Sequence, residues 1–547
     1  MKKNKIIILM IINTILILSS CSSKEENSSE QQVNNNIVEN NKKNIDKPHF
    51  NENGIWYEIF VRSFADGNDD GIGDFIGLKQ KLDYLNDGDE STDSDLGING
   101  IWLMPINASP SYHGYDVTDY YLINEEYGTM EEFETFLSEA HKRGIKVIMD
   151  LVVNHTSSKH PWFIESKKDI NSSYRNYYHW VSKDEEGYNT NRQIWGHRAW
   201  NKIGDNYYYA IFWDGMPDLN YENQKVRDEI INVAKFWLNK GIDGFRMDAA
   251  MHIYGLGEVK KGINTSKKNI EWWIEFDKAC REINPNYYLV GEVWDSVYKR
   301  AKYAVAFDTT FNFDVSENNI IKMVLDGTDL NKKNNNFINK LDNIYSKTKN
   351  VSSTYIDAPF LTNHDQRRSM NYFKGDIESM KLATNIYMTL PGNPFIYYGE
   401  EIGMLGNKPD ERIREPFIWG DTDELQTNWE QIKENKNTIS VKKQQNIDNS
   451  LLNHYKEIIR FRQNNECILK GEFQGIETSS SEIIAYRRYT DSNSVIVVHN
   501  LSKKNIEVAI SELNKDNEIK IIYSSNLVEY NGEDEIVIPK KTTVVVN

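Results

Sequence analysis

The chain has 547 residues, of which 39% are hydrophobic, 12% aromatic and 27% charged; this excludes a mini-protein and a wholly disordered chain, and implies two or three domains. Asp and Glu number 81 against 64 Lys and Arg, and a net charge of −17 excludes nucleic acid as a partner, because it repels phosphate backbones. Cys21, Cys280 and Cys467 offer no disulfide framework, whereas 31 Tyr, 13 Trp and 21 Phe are a rich supply of faces for a neutral stacking ligand such as a sugar.

In chain order, residues 1–20 read as an export signal: Lys2, Lys3 and Lys5 precede an apolar run over 6–18 that is too short to span a bilayer. Leu18-Ser19-Ser20-Cys21 resembles a bacterial lipobox, which implies cleavage before Cys21 and lipidation of that cysteine. The exported protein is then anchored to the outside of the bacterial cell membrane. Residues 21–49 carry Ser, Asn, Gln, Glu and Lys with few apolar groups and form a flexible tether. A coil of that length reaches roughly 30 Å.

From Gly54, short apolar runs recur at 55–64, 100–106, 145–153, 244–248, 287–293, 304–311, 359–362 and 395–398, with amphipathic stretches between them such as 130–143, 223–240, 269–282 and 377–390. Strand–helix alternation predicts an α/β fold with a parallel sheet, and eight repeats predict a closed (β/α)8 TIM barrel over 50–468. The polar, aromatic stretch 156–214 has no period and is too long for an ordinary βα loop. It reads as an inserted subdomain after the third strand, on the C-terminal face where barrel active sites lie. The acidic stretch 87–95 falls on the opposite face as a solvated loop. Beyond residue 468 the helical signals cease, and alternating runs at 483–489, 494–499, 505–510, 519–523 and 542–546 predict a C-terminal antiparallel β domain, 469–547.

Polar residues cluster where the runs end: Asp150, Asn154 and His155 after the third, Arg246 and Asp248 at the fourth, Glu292 and Trp294 at the fifth, Asn363, His364 and Asp365 at the seventh. In a barrel these ends converge on one mouth. Three carboxylates with two histidines and an arginine suit glycoside cleavage, which needs two carboxyl groups flanking the anomeric carbon. Arg246 shares a strand face with Asp248, and its cation is expected to keep that carboxylate ionised. An apolar wall at Trp294 is expected to keep Glu292 protonated.

The ordered set 150–155 (DLVVNH), 244–248 (GFRMD), 291–294 (GEVW) and 362–365 (TNHD) resembles the α-amylase family, glycoside hydrolase family thirteen, from Gly54 to the C-terminus. The resemblance implies Asp248 as the nucleophile of a covalent glycosyl-enzyme, Glu292 as general acid/base and Asp365 as the third carboxylate, on the ring hydroxyls. It implies Arg246, His155 and His364 around the −1 sugar, with Tyr115 beneath it in 111–120 (SYHGYDVTDY), Asp116 in the same pocket and Arg414 reaching it. The same resemblance implies His252 on the leaving-group side and Trp294 in the substrate-binding set. The implied activity is retaining, endo-type hydrolysis of α-1,4 bonds in starch or malto-oligosaccharides by a monomer. The alternatives are an α-1,6-glucosidase or a 4-α-glucanotransferase on the same scaffold, and a non-catalytic sugar-binding lipoprotein. Met216-Pro217-Asp218-Leu219-Asn220 is intermediate between the oligo-1,6-glucosidase and neopullulanase versions of the fifth motif, and Ala249-Ala250-Met251-His252 departs from the α-1,6 pattern.

Oxygen-bearing side chains alternate after the first run, at Asp66, Asn68, Asp70 and Asp74, with glycines between them, and suit Ca2+. A similar loop in α-glucosidase-like members of the family implies these four, with the Ile72 carbonyl, as ligands. Many amylases instead place Ca2+ at the equivalent of Asn154, so two sites stand open.

Overall fold

The computed structural model describes residues 49–183, 185–255, 264–329, 336–420, 423–514, 519–530 and 534–547. The export signal, Cys21 and the tether up to residue 48 lie outside the described residues. Among the described residues no helix is long and apolar enough to cross a membrane.

Eight short strands form one sheet: β1 (Trp56–Ile59), β2 (Gly100–Leu103), β3 (Lys146–Leu151), β4 (Gly244–Met247), β5 (Tyr288–Gly291), β6 (Thr309–Phe311), β7 (Ile356–Ala358) and β8 (Phe395–Tyr397). Each pairs in parallel with the next up to β7, and β8 returns to β1. The ring closes between β7 and β8, where Asn393 N–H donates to the Asp357 carbonyl at 2.8 Å and Phe395 N–H to that of Pro359 at 3.0 Å. Closure leaves no edge, and both faces of each strand are covered, which is why the strand runs are apolar rather than alternating. Trp56, Trp102, Ile148, Tyr288, Phe311 and Phe395 fill the barrel, while their neighbours Tyr57, Ile101 and Val147 belong to the larger core under the helices. Gly100 makes this filling possible: a Cβ there would stand 2.4 Å from the Trp56 ring.

The outer helices follow from 3.6-residue spacing. Helix α1 (Met130–Lys142) buries Phe133, Phe136, Leu137 and Ala140 on one face and starts at a capping box between Thr129 and Glu132. Each buried phenylalanine contributes about 2 kcal/mol, and Thr129→Ala would cost about 1 kcal/mol. Helices α2 (Gln224–Asn239), α3 (Thr265–Arg281), α4 (Phe337–Val351), α5 (Ile377–Thr389) and α6 (Leu451–Asn464) continue the layer.

Three predicted runs are displaced. The first is strand only over Trp56–Ile59 and then turns into a helix, Val61–Phe64. The sixth begins in a 3-10 turn, Ala301–Val305, before the strand proper. The seventh strand precedes the predicted 359–362, because Pro359 has no N–H for the ladder and ends it.

Between β3 and β4 the insertion carries a helix, Pro161–Lys168, an antiparallel sheet of Trp180–Ser182, Asn206–Tyr209 and Trp200–Ile203, and a hairpin of Gln193–Ile194 with His197–Arg198. It has a small core of its own around Val181, Trp200 and Tyr209. A bridge between His155 and Asp218 ties its two ends together at the barrel mouth. At the C-terminus, Glu472–Ile476, Ile483–Tyr489, Ser494–Asn500, Thr543–Val546 and Ile521–Ser524 form an antiparallel sheet in that order, with a second sheet of three short strands. Buried Arg488 donates to the Thr389 carbonyl at 2.6 Å and to that of Gly471 at 2.8 Å, holding this sheet against the end of α5.

Candidate active site

The ends of β3, β4, β5 and β7 meet around one arginine. In the β4–β5 ladder Met247 stands opposite Gly291, so Asp248 and Glu292 leave neighbouring strands at the same level. Arg246 is fully buried. Its Nη1 donates to both oxygens of Asp150, at 2.8 and 2.9 Å, and to Asp248 Oδ1 at 2.9 Å, while Nη2 lies 2.9 Å from Glu292 Oε2. One cation serves three carboxyls. Burial raises the pKa of all three, with Arg246 opposing: Asp150 is pushed up to about 7, and Asp248 and Glu292 also lie above the ordinary carboxyl range.

At Asp248 the Arg246 cation does favour the ionised form, as the sequence reading expected, but it does not act alone. Burial outweighs Arg246, whose charge Asp150 and Glu292 share. For Glu292 the expected direction holds, but through another cause. Trp294 is 51% exposed and stacks on Phe313, with ring centroids 4.4 Å apart. Burial holds Glu292 up, and the neighbouring charges of Asp248 and Asp365 add to it, while Ala249 N–H donates to Oε2 at 3.0 Å.

A second cluster centres on His364, whose ring is fully buried. Nδ1 meets the carboxylate of Glu58 on β1, and Nε2 lies 3.2 Å from Asp365 Oδ2 and 2.6 Å from the Tyr115 hydroxyl. A neutral imidazole has a single N–H, so carboxylates at both nitrogens select the imidazolium. Burial works against that charge, but Asp365 and Glu58 prevail and push the His364 pKa up to about 10. Burial likewise opposes ionisation of Asp365, yet His364 and then Arg414 hold its carboxyl well below the usual range. Arg414 belongs to the site: Nη2 is 3.0 Å from Asp365 Oδ1, and Nε donates to the His364 carbonyl at 3.2 Å. Tyr115 joins the two clusters, since its hydroxyl donates to Asp150 Oδ2 at 3.0 Å and its ring lies nearly parallel to that of His364.

His155 donates from Nε2 to the Tyr115 carbonyl at 3.0 Å, and burial lowers its pKa to about 4, so it is neutral. Asp116 accepts from the Ser109 and Ser111 hydroxyls and braces the loop that carries Tyr115. A cavity of about 660 Å³ opens over the carboxyls. Glu292, Asp365, His252 and Trp294 line it, together with Trp195 and Phe212 from the insertion. Three groups here escaped the sequence reading of the site, Glu58, Trp195 and Phe212, while Asp150 was placed at the mouth but given no role. Glu58 did leave a signal, a charged residue inside an apolar strand, which needs a partner when buried.

The two candidate calcium positions differ. In the loop, Asp66 Oδ1 accepts the N–H groups of Asn68 and Asp69, Oδ2 accepts that of Gly71, and Asp74 accepts those of Gly67, Asn68 and Gly77. The buried carboxylates thus close on their own turn, with Asn68 and Asp70 exposed beside them. At the barrel mouth, Asn154 Nδ2 donates to Asp218 Oδ2 at 3.1 Å, while its side-chain Oδ1 is buried without a protein partner. Both positions offer oxygen donors only, the type a hard divalent cation takes. Among the described residues no three His, Cys, Asp or Glu side chains are gathered so as to hold a metal ion.

A family model described as alpha amylase, catalytic domain, matches residues 58–471. The chain is similar to Alpha-amylase 3 of Dictyoglomus thermophilum, 44% identical over 499 residues, which cover 90% of this chain and 93% of that protein. It is 34% identical over 461 residues to a 4-alpha-glucanotransferase of Thermotoga maritima, covering 83% and 96%. A crystal structure of alpha-amylase from H. orenii is similar with a TM-score of 0.83 and 44% identity, covering 91% of this chain and 99% of that one.

Proposed function

We propose, from the premise that the chain belongs to the alpha-amylase family and is a glycoside hydrolase, that it cleaves internal α-1,4 bonds of starch, maltodextrins or related α-glucans with retention of configuration. The observation that carries this reading is the placement of Asp248 and Glu292 on one guanidinium at neighbouring strand ends. Paired strands lie about 4.8 Å apart, close to the roughly 5–5.5 Å between carboxyls in a double displacement. Asp248 attacks the anomeric carbon while Glu292 protonates the leaving oxygen. Glu292 then takes a proton from the incoming water as the ester to Asp248 breaks. Asp365, with His364 and Arg414 fixing its charge, binds hydroxyls of the ring that stacks on Tyr115. The test is incubation with starch, maltotriose, isomaltose and pullulan, with products followed by proton NMR from the first minutes. The α-anomer is expected from starch; a β-anomer before mutarotation would overturn Asp248 as nucleophile.

The second reading is glucanosyl transfer. It is supported by the similarity to the 4-alpha-glucanotransferase of Thermotoga maritima. Products longer than the maltotriose supplied would favour it, and cleavage of isomaltose would favour an α-1,6 enzyme. We also propose Ca2+ in the loop 66–74, held by Asp66, Asn68, Asp70, Asp74 and the Ile72 carbonyl, with Asn154 as donor at a second place. The lipobox supports export and anchoring through Cys21.

A further inference from the structure

Two arginines at the end of the barrel opposite the catalytic mouth are fully buried, Arg462 on α6 and Arg488 on the strand Ile483–Tyr489. Their partners among the described residues are backbone carbonyls. Arg462 donates to Met388 at 2.5 Å, to Leu390 at 2.9 Å and to Gly392. Arg488 donates to Thr389 at 2.6 Å, to Gly471 at 2.8 Å and to Glu472 at 3.3 Å. These oxygens close the end of α5 but carry only partial charges. The carboxylate of Glu472 is held by Lys349 instead. Burial, with the charge of Arg488 added to it, pushes Arg462 down to about 9, and burial pushes Arg488 down to about 10. Two neighbouring cations are thus kept out of water without an anion, an arrangement that burial penalises strongly.

A cavity of about 130 Å³ lies beside them, between α4, the start of β7, the turn before β8 and the first two strands of the C-terminal sheet. Arg488, Tyr345, Lys349 and Lys470 line it, and Gly392, whose carbonyl Arg462 holds, forms part of its wall. The Tyr345 hydroxyl is buried and has no hydrogen-bond partner, and Arg462 Nε is in the same position. Asp357 also lines the cavity, but its carboxylate is taken up by Arg300 at 3.3 Å and by Asn312 at 2.6 Å. Positive charge and an unused donor therefore meet at one small space. Its volume is that of about four waters at roughly 30 Å³ each, which suits a compact ion and not a sugar ring.

We propose that this cavity is a binding site for a small tetrahedral oxyanion, inorganic phosphate or sulfate, held by Arg488 and the Tyr345 hydroxyl, with Arg462 adding its charge from behind Gly392. The anion supplies the full negative charge that the carbonyls lack. It also joins α4 of the barrel to the C-terminal sheet, so its effect falls on the union of the two domains. The site uses none of the groups at the catalytic mouth and stands whichever glucan reaction the chain performs.

Full-length protein dialysed free of both anions would be tested by equilibrium dialysis with radiolabelled phosphate and, separately, radiolabelled sulfate, at an ionic strength fixed with chloride. One anion should bind per chain, the tighter of the two identifying the ligand, and the melting temperature should rise with its concentration. Tyr345→Phe removes a hydroxyl that has no partner in the folded chain. It should leave the melting temperature without anion unchanged and weaken binding about tenfold, the range of one hydrogen bond to a charged group. Arg488→Met should abolish binding; if that variant fails to fold, Tyr345→Phe still decides. No saturable binding of either anion, or an affinity that Tyr345→Phe leaves unchanged, would overturn the proposal.

Discussion

Glu58→Gln isolates one charge in the His364 cluster. The carboxamide keeps the shape and an oxygen for Nδ1 but removes the anion. His364 is pushed up to about 10, some 3.5 units above its ordinary value of about 6.5, which corresponds to about 5 kcal/mol in favour of the imidazolium. Asp365 and Glu58 together outweigh burial, so each supplies more than half of the net preference, and withdrawing one should remove at least about 2 kcal/mol and bring the pKa to about 8 or below. The sign follows from the raised value. The stabilisation is fully present below the unfolded pKa of about 6.5 and is lost as pH rises through the folded pKa, about 10 in the native protein. The variant should therefore be less stable by at least about 2 kcal/mol at acidic pH, and the gap should close toward about pH 10. Thermal unfolding across pH would measure the gap, and histidine 15N NMR would report the His364 charge directly. A gap that stays constant with pH, or a His364 still doubly protonated in the variant at about pH 9, would refute the assignment of Glu58 as its counter-ion.

Asp248→Asn, Glu292→Gln and Asp365→Asn should each leave a folded protein by circular dichroism and lower starch cleavage by about 10²–10⁴-fold, because each removes a charge or proton that the proposed chemistry uses. Near-normal turnover in any of them would remove its assigned role. Chelation, or Asp70→Ala, should lower the melting temperature more than activity at low temperature, since a cation bound only by the folded form stabilises by about 2.7 kcal/mol at a hundredfold excess over its Kd. An identical melting temperature with and without calcium would reduce the loop to a self-closed turn. Cys21→Ser should move the protein from the membrane fraction to the soluble one; retention would disprove lipid anchoring.

The barrel and the carboxyls gathered at its mouth were legible where local sequence carries the physical cause. Arg246 and Asp248 lie two residues apart, so a strand of period two puts them on one face before any tertiary contact is known. The insertion was legible by length alone. What was not legible depends on closure. Glu58 meets His364 across 306 residues, a contact made only when β1 and the segment after β7 come together in the finished ring. The end of β7 was misplaced because the apolar residues after Pro359 continue the strand's composition but not its ladder. Trp195 was not legible as a turn residue, since tryptophan disfavours the positive φ of 49° that it takes beside Gly196 in the hairpin turn. Arg414 lies in a loop without period, and its reach to Asp365 could be stated only as a family likeness.

The charges at the mouth constrain the proposed chemistry further. Arg246, Arg414 and the imidazolium of His364 face five carboxyls: Glu58, Asp150, Asp248, Glu292 and Asp365. With all five ionised the buried cluster would be negative, which burial penalises strongly. Asp365 has two cations and Glu58 has His364, so the protons fall to the three carboxyls that share Arg246. Asp150 is fully buried behind the others and accepts from Arg246 and Tyr115 on both oxygens, so a proton there is remote from substrate. Asp248 must be ionised to attack. Glu292 makes its contacts with Arg246 and Ala249 through Oε2 alone, leaving Oε1 to carry a proton at the cavity it lines. Once Asp248 has formed the ester its charge is gone, the repulsion that it adds to the effect of burial on Glu292 falls away, and the same carboxyl can lose its proton and accept another from the incoming hydroxyl. Repulsion between the two carboxyls held on one arginine thus makes the acidity of Glu292 depend on the charge of Asp248, which is the alternation that a two-step displacement requires.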